Sequence, residues 1–428
     1  MKFSEELFSH GAGDYSIPRI ALDKEPADCP ADLKYLFTHQ VVDDSLDYLG
    51  HPDSVLLKNG DILTVYPQGH GKGAVVSKIS HDGGLTYPDY IRNAPLSWKN
   101  SRETPTVYRL EFSDGTPDKL LLVCGNPDWN DGKGSEGGFC CSLSDDEGKS
   151  FSEFKRFYGK DEGFDFITIV ALASLTRLKV NGKFTDKWMG LFHTPDFINY
   201  KTVLTFENGE MKWSLPVPYL SEYREIEKAA NICEVECIRS DRGNGDELCL
   251  ITRSNSKTYN SLLFFSSDEG ETWSAPVYAP ASLNGERHKA DYLPDGRLYI
   301  DFRSIERDYN KLNKYVPDSN KNWFSEGWCG WIGTFDDLKN NREGQYRIKL
   351  AHTYSDGQTE PGITADADTG YCGHVILPDG TLVTATYGKF GERNADGSLK
   401  TYVVSKRIRV EDIDRLFRFL KSSGVINE

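Results

Sequence analysis

The sequence predicts an all-β protein, a single β-propeller of six four-stranded blades that ends in a short C-terminal helix. A repeated turn motif, a repeated strand–turn–strand unit and the overall composition lead to this prediction. The chain has 428 residues, of which 38% are hydrophobic and 12% aromatic, and it contains 39 glycines. This composition supports one large core and lacks the long apolar runs of helical classes, so residues 1–428 are expected to form one domain.

The turn motif has the form Ser-x-Asp-x-Gly-x-(Thr/Ser)-aromatic. It begins at Ser80, Ser144 and Ser266, and a degraded fourth copy begins at Thr205, which gives separations of 64, 61 and 61 residues. The Asp carboxylate of each copy is expected to accept hydrogen bonds from the backbone of its own turn, while the Gly takes a left-handed conformation. The spacing fits one four-stranded sheet per copy, so each motif predicts a stabilised hairpin in a separate blade.

A second repeat locates the two inner strands of each blade. Six strand–turn–strand units are centred on Gly60, Gly115, Gly182, Gly245, Gly296 and Gly380. Further strands are predicted within 15–22, 34–42 and 401–410, and these either close the ring or supply a seventh blade. Residues 411–422 are predicted to form a surface helix with an apolar side that includes Leu416 and Leu420.

Charge and composition restrict the partners. The formal net charge of −15 repels polyanions, so nucleic acid is not expected to bind. No stretch has the length and apolarity of a membrane span, and a membrane is not an expected partner. The N-terminal segment lacks the apolar core of a signal peptide, so we expect a cytoplasmic protein, or a secreted one if a leader has been removed. The oligomeric state has no signal in the sequence.

The cysteines give no sign of a disulfide framework or a metal centre. There are nine of them, an odd number, and no Cys-x-x-Cys pair occurs. No His-x-x-x-His ligand spacing occurs either. Reduced thiols are therefore predicted, and neither a metal nor a cofactor is expected.

The blade geometry is expected to collect polar side chains at one end of the channel. In a propeller the first strand of each blade begins where the second strand ends, and ligands usually bind at that face. The predicted starts of first strands carry His51, Glu103, Glu234, Arg287 with His288, and Tyr371, and the predicted ends of second strands carry His70, His193, Arg253, Arg303 and Tyr387. This set predicts a binding or catalytic site.

Several of these segments resemble the sialidase superfamily of propeller glycosidases, in which the turn motif is called an Asp-box. The similarity includes the three intact motifs, the segment 371–387 and the segment 234–238, and it covers roughly residues 50–390. The resemblance implies that Tyr371, which stands before the Asp-Gly turn at Gly380, is a nucleophile. It also implies that Glu236, or its rival Glu234, accepts the tyrosine proton.

The sequence departs from the sialidase pattern at three positions. His51 stands where sialidases carry the first of three carboxylate-binding arginines, and the expected second arginine is missing before the motif at Ser266, although Arg253 lies upstream. The acidic acid/base residue after the first blade's second strand is replaced by a segment that carries His70. The segments 66–87, 101–110, 285–304 and 333–350 resemble another branch of the superfamily, the propeller enzymes that remove rhamnose linked to glucuronic acid by hydrolysis or by elimination. That resemblance implies a histidine in place of the sialidase carboxylate.

Roles follow from the residue types. Histidine side chains titrate near neutrality, so His70 is the predicted acid/base. A planar guanidinium pairs bidentately with a carboxylate, so arginines are predicted to hold an acidic sugar. The predicted substrate-binding residues are His51, Glu103, His193, Arg253, Arg287, His288 and Arg303.

The predicted activity is that of an exo-acting glycoside hydrolase that releases a terminal sugar from an acidic glycan. Three alternatives remain at this point. They are a true exo-sialidase with a rearranged arginine set, a lyase acting on rhamnosyl-glucuronate ends, and a glycan-binding propeller without catalysis, because the fold alone does not give an activity.

Overall fold

Six sheets surround a central channel. A computed structural model describes residues 15–70, 73–100, 103–125, 136–164, 167–306, 323–355 and 367–426. In every blade the first three strands pair antiparallel in chain order, and the first strand of blade six contacts the first strand of blade one. The predicted six-bladed all-β propeller is confirmed.

The first three blades follow two N-terminal strands, β1 (Arg19–Ala21) and β2 (Gln40–Asp43). Blade one comprises β3 (Asp53–Leu56), β4 (Ile62–Pro67) and β5 (Val75–Ser80). Blade two comprises β6 (Glu103–Leu110), β7 (Lys119–Gly125), β8 (Gly137–Ser144) and β9 (Lys155–Gly159). Blade three comprises β10 (Ser174–Val180), β11 (Lys183–His193), β12 (Asn199–Glu207), β13 (Glu210–Trp213) and β14 (Val217–Pro218).

The other three blades complete the ring. Blade four comprises β15 (Ile232–Arg239), β16 (Leu248–Ser254), β17 (Leu262–Ser266) and β18 (Val277–Tyr278). Blade five comprises β19 (Gly285–Tyr292), β20 (Leu298–Ser304), β21 (Trp328–Gly333) and β22 (Tyr346–Lys349). Blade six comprises β23 (Cys372–Ile376), β24 (Leu382–Gly388) and β25 (Tyr402–Ile408).

Helices are short and lie outside the sheets. The α-helices are α1 (Arg224–Ala230), α2 (Phe335–Lys339) and α3 (Val410–Ser422). The 3-10 helices are Ala31–Phe37, Leu96–Asn100, Lys160–Glu162, Ser221–Tyr223 and Ala281–Leu283. Within the described residues, no helix has the length and apolar character needed to cross a lipid bilayer.

The N-terminal strands extend existing blades. Strand β2 pairs antiparallel with β25, which gives blade six its fourth strand, and β1 pairs in parallel with β22 at the outer edge of blade five. Blade one has three strands, and one bridge between Ile79 and Asp89 marks its outer edge. The described residues form no seventh blade. The terminal strands were predicted either to close the ring or to supply a seventh blade, and the pairing of β2 with β25 shows that they close the ring.

The six turn glycines lie between the first and second strands of their blades, as the sequence predicts. Gly60 and Gly296 have φ angles of 90° and 91°, a backbone region that side chains with a Cβ resist. The strand on each side of such a turn is therefore fixed in register. This register determines which residues reach the channel mouth.

The three intact turn motifs follow the third strands of their blades, after β5, β8 and β17. In the copy after β8, the Ser144 hydroxyl donates to Asp146 at 2.9 Å and accepts the Gly148 N–H at 2.9 Å. Asp146 also accepts the N–H and the hydroxyl of Ser150, at 2.9 and 2.6 Å. The degraded copy at Thr205 lies at the end of β12, also a third strand, so all four copies occupy equivalent positions in separate blades.

We expect Asp146→Ala to lower the free energy of unfolding by about 1–2 kcal/mol, because three hydrogen bonds inside the turn lose their acceptor. The matched control is Asp145→Ala in the same turn, since Asp145 is 71% exposed and makes only a surface ion pair with Lys119. That change is expected to cost less than about 0.5 kcal/mol. Denaturant unfolding of both variants measures the difference, and equal costs would contradict the role given to the turn.

The C-terminal helix is confirmed and begins one residue before the predicted range. It buries Val410, Ile413, Leu416 and Leu420 against the outer side of the propeller, where they join a cluster that includes Leu36 of the N-terminal 3-10 helix. The Tyr35 hydroxyl donates to Asp412 at 2.7 Å across the same contact. The 3-10 helix Ala31–Phe37 and the helix Val410–Ser422 therefore pack together outside blades five and six.

Candidate active site

A cavity of about 400 Å³ opens at the end of the channel where first strands begin and second strands end. Its lining includes eight of the eleven predicted site residues, which come from all six blades. They are His51, His70, Glu103, His193, Glu234, Arg253, Arg303 and Tyr371. Convergence from residues so distant in sequence follows from the propeller geometry.

Tyr371 and Glu234 are in direct contact in this cavity. The Tyr371 hydroxyl donates to the two Glu234 carboxylate oxygens at 2.7 and 2.8 Å, and both side chains are buried. Tyr371 stands immediately before β23, and Glu234 lies at a bulge near the start of β15. Arg253, at the end of β16, donates to Glu234 at 2.9 Å and also contacts the Tyr371 hydroxyl.

The surroundings keep Glu234 ionised and Tyr371 protonated at neutral pH. Burial raises the pKa of Glu234, but the Arg253 guanidinium, followed by His193 and Arg287, lowers it, and the net direction is downward. Burial raises the pKa of Tyr371 well above its usual value, against the opposing charge of Arg253. A neutral hydroxyl thus faces a carboxylate that can take its proton.

A second carboxylate, Glu286, lies behind the arginines. It accepts from Arg303 at 3.1 Å and from Lys257 at 2.6 Å, and it pairs with Arg253 at 3.3 Å. Burial opposes its ionisation, but these three cations together lower its pKa to about 2. Arg303 also donates to the Tyr387 hydroxyl at 2.9 Å, and its guanidinium carbon lies 4.5 Å from the centre of the Tyr371 ring. Glu286 therefore fixes both arginines around Tyr371.

We expect Glu286→Gln to lower the free energy of unfolding by about 3–5 kcal/mol at neutral pH, since Arg253, Arg303 and Lys257 lose an anion that they share and that is itself buried. The folded pKa is depressed, so the stabilisation is present above the unfolded value of about 4.5 and is lost as pH falls toward about 2. The difference in the free energy of unfolding between wild type and Glu286→Gln should therefore disappear as the pH falls from about 4.5 to about 2. Glu271→Gln is the control, because Glu271 is 75% exposed in its pair with Lys201. It should lower the free energy of unfolding by less than about 1 kcal/mol.

Two histidines of blade one, His51 and His70, also line the cavity. The His51 ring centre lies 4.6 Å from that of His70 and 5.0 Å from that of Tyr371, so His51 separates the two predicted catalytic side chains. Burial, with the nearby His70, holds the pKa of His51 well below its usual range. His51 Nδ1 lies 3.6 Å from a Glu103 oxygen. His70 Nδ1 lies 3.3 Å from the Tyr48 hydroxyl.

His193 lies on the blade three side of the cavity. It is buried, its ring stacks parallel to that of Phe197, and burial lowers its pKa to about 4. It is therefore neutral near pH 7. Its Nδ1 has no hydrogen-bond partner among the described residues, which suits a group that contacts a ligand.

Glu236, Arg287 and His288 do not line the cavity, contrary to the prediction. Glu236 lies deeper in the channel, where it accepts from the Ala290 N–H at 3.3 Å and where burial raises its pKa to about 7. Arg287 crosses the channel below the cavity and donates to the Ala173 carbonyl at 2.9 Å. His288 is fully buried between blades, with Nε2 at 3.0 Å from the Leu283 carbonyl.

For His288 and Glu236 the physical reason is a bulge near the start of the first strand, which recurs in blades two, four and five. In β15 two residues between Cys233 and Glu236 oppose one residue of β16, and β19 has the same shift between Glu286 and Lys289. Glu234 and Arg287 occupy equivalent bulge positions, with φ angles of 47° and 53°. His288 is then equivalent to the core residue Val235, and Glu236 is equivalent to Lys289, further down the channel.

The sequence prediction missed three residues in or behind the cavity. Glu286 stands next to the predicted Arg287 and pairs with Arg253 and Arg303. Asp368 accepts from the hydroxyls of Tyr387 at 2.8 Å and Tyr48 at 3.0 Å. Asn255 accepts from Arg253 at 2.6 Å. Asn255 lies two residues after a predicted site residue and Asp368 three residues before one, so a wider window around each strand end would have included both.

The fold is similar to solved structures that include glycosidases. No protein-family model matches the sequence, and no curated protein sequence matches it. A protein of unknown function from Dyadobacter fermentans superposes with a TM-score of 0.55 at 15% identity, over 86% of this chain and 97% of the other. The NanB sialidase of Streptococcus pneumoniae gives a TM-score of 0.53 at 11% identity, over 87% of this chain and 71% of that one.

An α-L-arabinofuranosidase from Fusarium graminearum is similar to the same degree. Its TM-score is 0.52 at 12% identity, over 88% of this chain and 98% of the other. At such identities the likeness establishes the fold alone. The function has to be argued from the side chains of the cavity.

Proposed function

We propose that the protein is an exo-acting glycoside hydrolase that releases a terminal sugar from an acidic glycan. The observation that carries the proposal is the contact of the Tyr371 hydroxyl with the Glu234 carboxylate at 2.7 and 2.8 Å, in a cavity that also exposes His70. A tyrosine hydroxyl becomes an effective nucleophile when an adjacent base takes its proton. The cavity volume of about 400 Å³ lies at the lower end for small-molecule sites, which favours one terminal sugar.

The proposed reaction has two steps. Tyr371 attacks the anomeric carbon while its proton passes to Glu234, and protonated His70 gives a proton to the leaving oxygen. The bond to Tyr371 forms as the glycosidic bond breaks. Neutral His70 then takes a proton from a water molecule that attacks the same carbon, and Glu234 returns its proton to Tyr371. Two displacements at one carbon retain the anomeric configuration.

Arg253 supports the first step electrostatically. Its guanidinium contacts the Tyr371 hydroxyl and lies 2.9 Å from Glu234. Negative charge that develops on the buried tyrosine oxygen therefore meets a fixed positive group. The same group holds Glu234 in its ionised form, the form that accepts the proton.

An acidic sugar is supported by the two guanidinium groups of the lining, those of Arg253 and Arg303. A carboxylate on the sugar would pair with them in a protein whose overall charge is −15. Arg287 donates instead to Ala173 and Thr106. Two arginines therefore line the cavity, whereas the sialidase alternative requires three. This difference favours an acidic sugar other than the substrate of a true sialidase.

The proposal is tested by a substrate screen with mass detection of the products. The panel contains aryl sialosides, aryl uronides, aryl arabinofuranosides and rhamnosyl-glucuronate oligosaccharides, each with wild type and with Glu234→Gln. We expect the wild type to release a terminal sugar from one of the acidic substrates of the panel, and the variant to do so far more slowly. An unsaturated product would identify a lyase, turnover of arabinofuranosides alone would contradict the acidic substrate, and binding without turnover would identify a glycan-binding protein.

A further inference from the structure

Three metal-ligating side chains converge at one corner of the cavity. A ring nitrogen of His51, a ring nitrogen of His70 and a carboxylate oxygen of Glu103 all lie within 4.8 Å of one another. We propose that His51, His70 and Glu103 form a binding site for a transition-metal cation such as Zn²⁺. The sequence gives no hint of it, because the ligands are 19 and 33 residues apart and come from the ends of strands in two blades.

The environment of His51 carries the inference. His51 is only 1% exposed, and its Nδ1 has no hydrogen-bond partner among the described residues. A buried nitrogen without a partner is costly. Nδ1 faces a Glu103 oxygen at 3.6 Å, which is too long for a hydrogen bond. It is close to the roughly 3.3–3.4 Å that separates two ligands of a tetrahedral Zn²⁺ with bonds of about 2.0–2.1 Å.

Neighbouring groups orient the other two ligands. The Tyr48 hydroxyl donates to Asp368 at 3.0 Å, so its oxygen accepts from His70 Nδ1 at 3.3 Å, and the lone pair of His70 is left on Nε2. The Thr104 hydroxyl donates to Glu103 at 2.8 Å and holds the carboxylate. Such outer hydrogen bonds are the usual support of metal ligands.

The chemistry of the donors selects the ion. Two imidazoles and one carboxylate with an open fourth position suit Zn²⁺, whereas Ca²⁺ and Mg²⁺ require mostly oxygen ligands. The cations that act on His51 are Arg303, Arg287 and Arg253. Arg303 and Arg253 are paired with Glu286 and Glu234, whereas Arg287 donates to the Ala173 carbonyl and the Thr106 hydroxyl. All three proposed ligands line the cavity, so the fourth position is open to water or to a sugar oxygen.

Metal binding and the proposed acid role of His70 exclude each other. A cation on the His70 lone pair removes the atom that carries the proton to the leaving group. In this respect the inference rests on the proposed function, and it predicts that Zn²⁺ inhibits turnover and that a chelator restores it. The existence of the site itself does not depend on any activity.

The site is tested by calorimetric titration of the chelator-treated full-length protein with ZnCl₂. We expect saturable binding of one ion per chain, weakened at least about tenfold in His51→Ala and in Glu103→Gln, and no binding of CaCl₂ at the same concentrations. His81→Ala is the matched control and should bind like wild type, because His81 is an exposed histidine that contacts Asp61 and Asp89. Thermal unfolding of each apo variant shows that it is folded.

Two results would overturn the site. One is the absence of saturable Zn²⁺ binding to the wild type, and the other is binding that His51→Ala and Glu103→Gln leave unchanged. The titration needs no substrate, so it stands even if no glycosidase activity is found. Conversely, tight Zn²⁺ binding without inhibition of turnover would remove the acid role of His70 and would leave the metal site in place.

Discussion

Replacing Tyr371 by Phe is expected to lower kcat of the proposed hydrolase by at least about 10³-fold while the protein stays folded. The change removes only the hydroxyl that contacts Glu234 and Arg253. The ring remains and can keep its contacts with His51 and Arg303, and Glu234 still has Arg253 as its partner at 2.9 Å. Steady-state kinetics with the best substrate of the screen, together with thermal unfolding, measures both expectations.

Tyr66→Phe is the matched control for this prediction. Tyr66 is fully buried in β4, and its hydroxyl also donates to a carboxylate, that of Asp43 at 2.6 Å, but it does not line the cavity. Loss of the Tyr66 hydroxyl should lower the free energy of unfolding by about 1–3 kcal/mol and leave kcat unchanged. A Tyr371→Phe enzyme as active as wild type would exclude the tyrosine as nucleophile.

The architecture was predictable because its determinants are local and repeated. A glycine turn such as the one at Gly60 and a Ser/Asp turn such as the one at Ser144 each specify a hairpin within about ten residues. Their repetition then gives the number of blades. Ring closure was left open, because the pairing of β2 with β25 joins residues that are more than 350 positions apart and leaves no periodic signal.

The site was predictable only to the precision of the strand register. Counting from the turn glycines brings Glu234, Arg253 and Tyr371 correctly to the channel mouth, because each lies at or beside the predicted strand end. The count fails at Arg287, whose side chain donates to Ala173 across the channel. It also fails at His288 and Glu236, because the bulges in β19 and β15 place His288 in the core and Glu236 further down the channel. A one-residue irregularity changes the role of a residue and leaves the fold unchanged.

The electrostatics of the site depend on contacts between blades. Glu286 of blade five neutralises Arg253 of blade four, and Asp368 accepts from Tyr48, which lies 320 residues away in the sequence. Residue types alone therefore suggested three arginines free for a substrate. Their actual partners are set by the three-dimensional packing of strand ends, and two of the three remain at the cavity.

Replacing His70 by Ala is expected to lower kcat by about 10²–10⁴-fold for substrates with a sugar leaving group. Such a leaving group needs a proton as the glycosidic bond breaks, and His70 is the exposed histidine of the lining. An aryl leaving group departs without much protonation, so the same variant should lose far less activity with aryl glycosides. The ratio of the two losses, measured with chelator-treated enzyme so that bound metal has no influence, reports on proton donation rather than on binding.

His81→Ala is the matched control, since His81 is an exposed histidine that pairs with Asp61 at 2.9 Å and Asp89 at 3.4 Å at the surface of blade one. It should retain full activity with both kinds of substrate. The His70 ring contacts that of the buried His51, so thermal unfolding of His70→Ala is measured as well, to show that a loss of kcat does not come from unfolding. Equal losses of kcat in His70→Ala with sugar and aryl leaving groups would contradict the acid role of His70. Another group would then have to donate the proton.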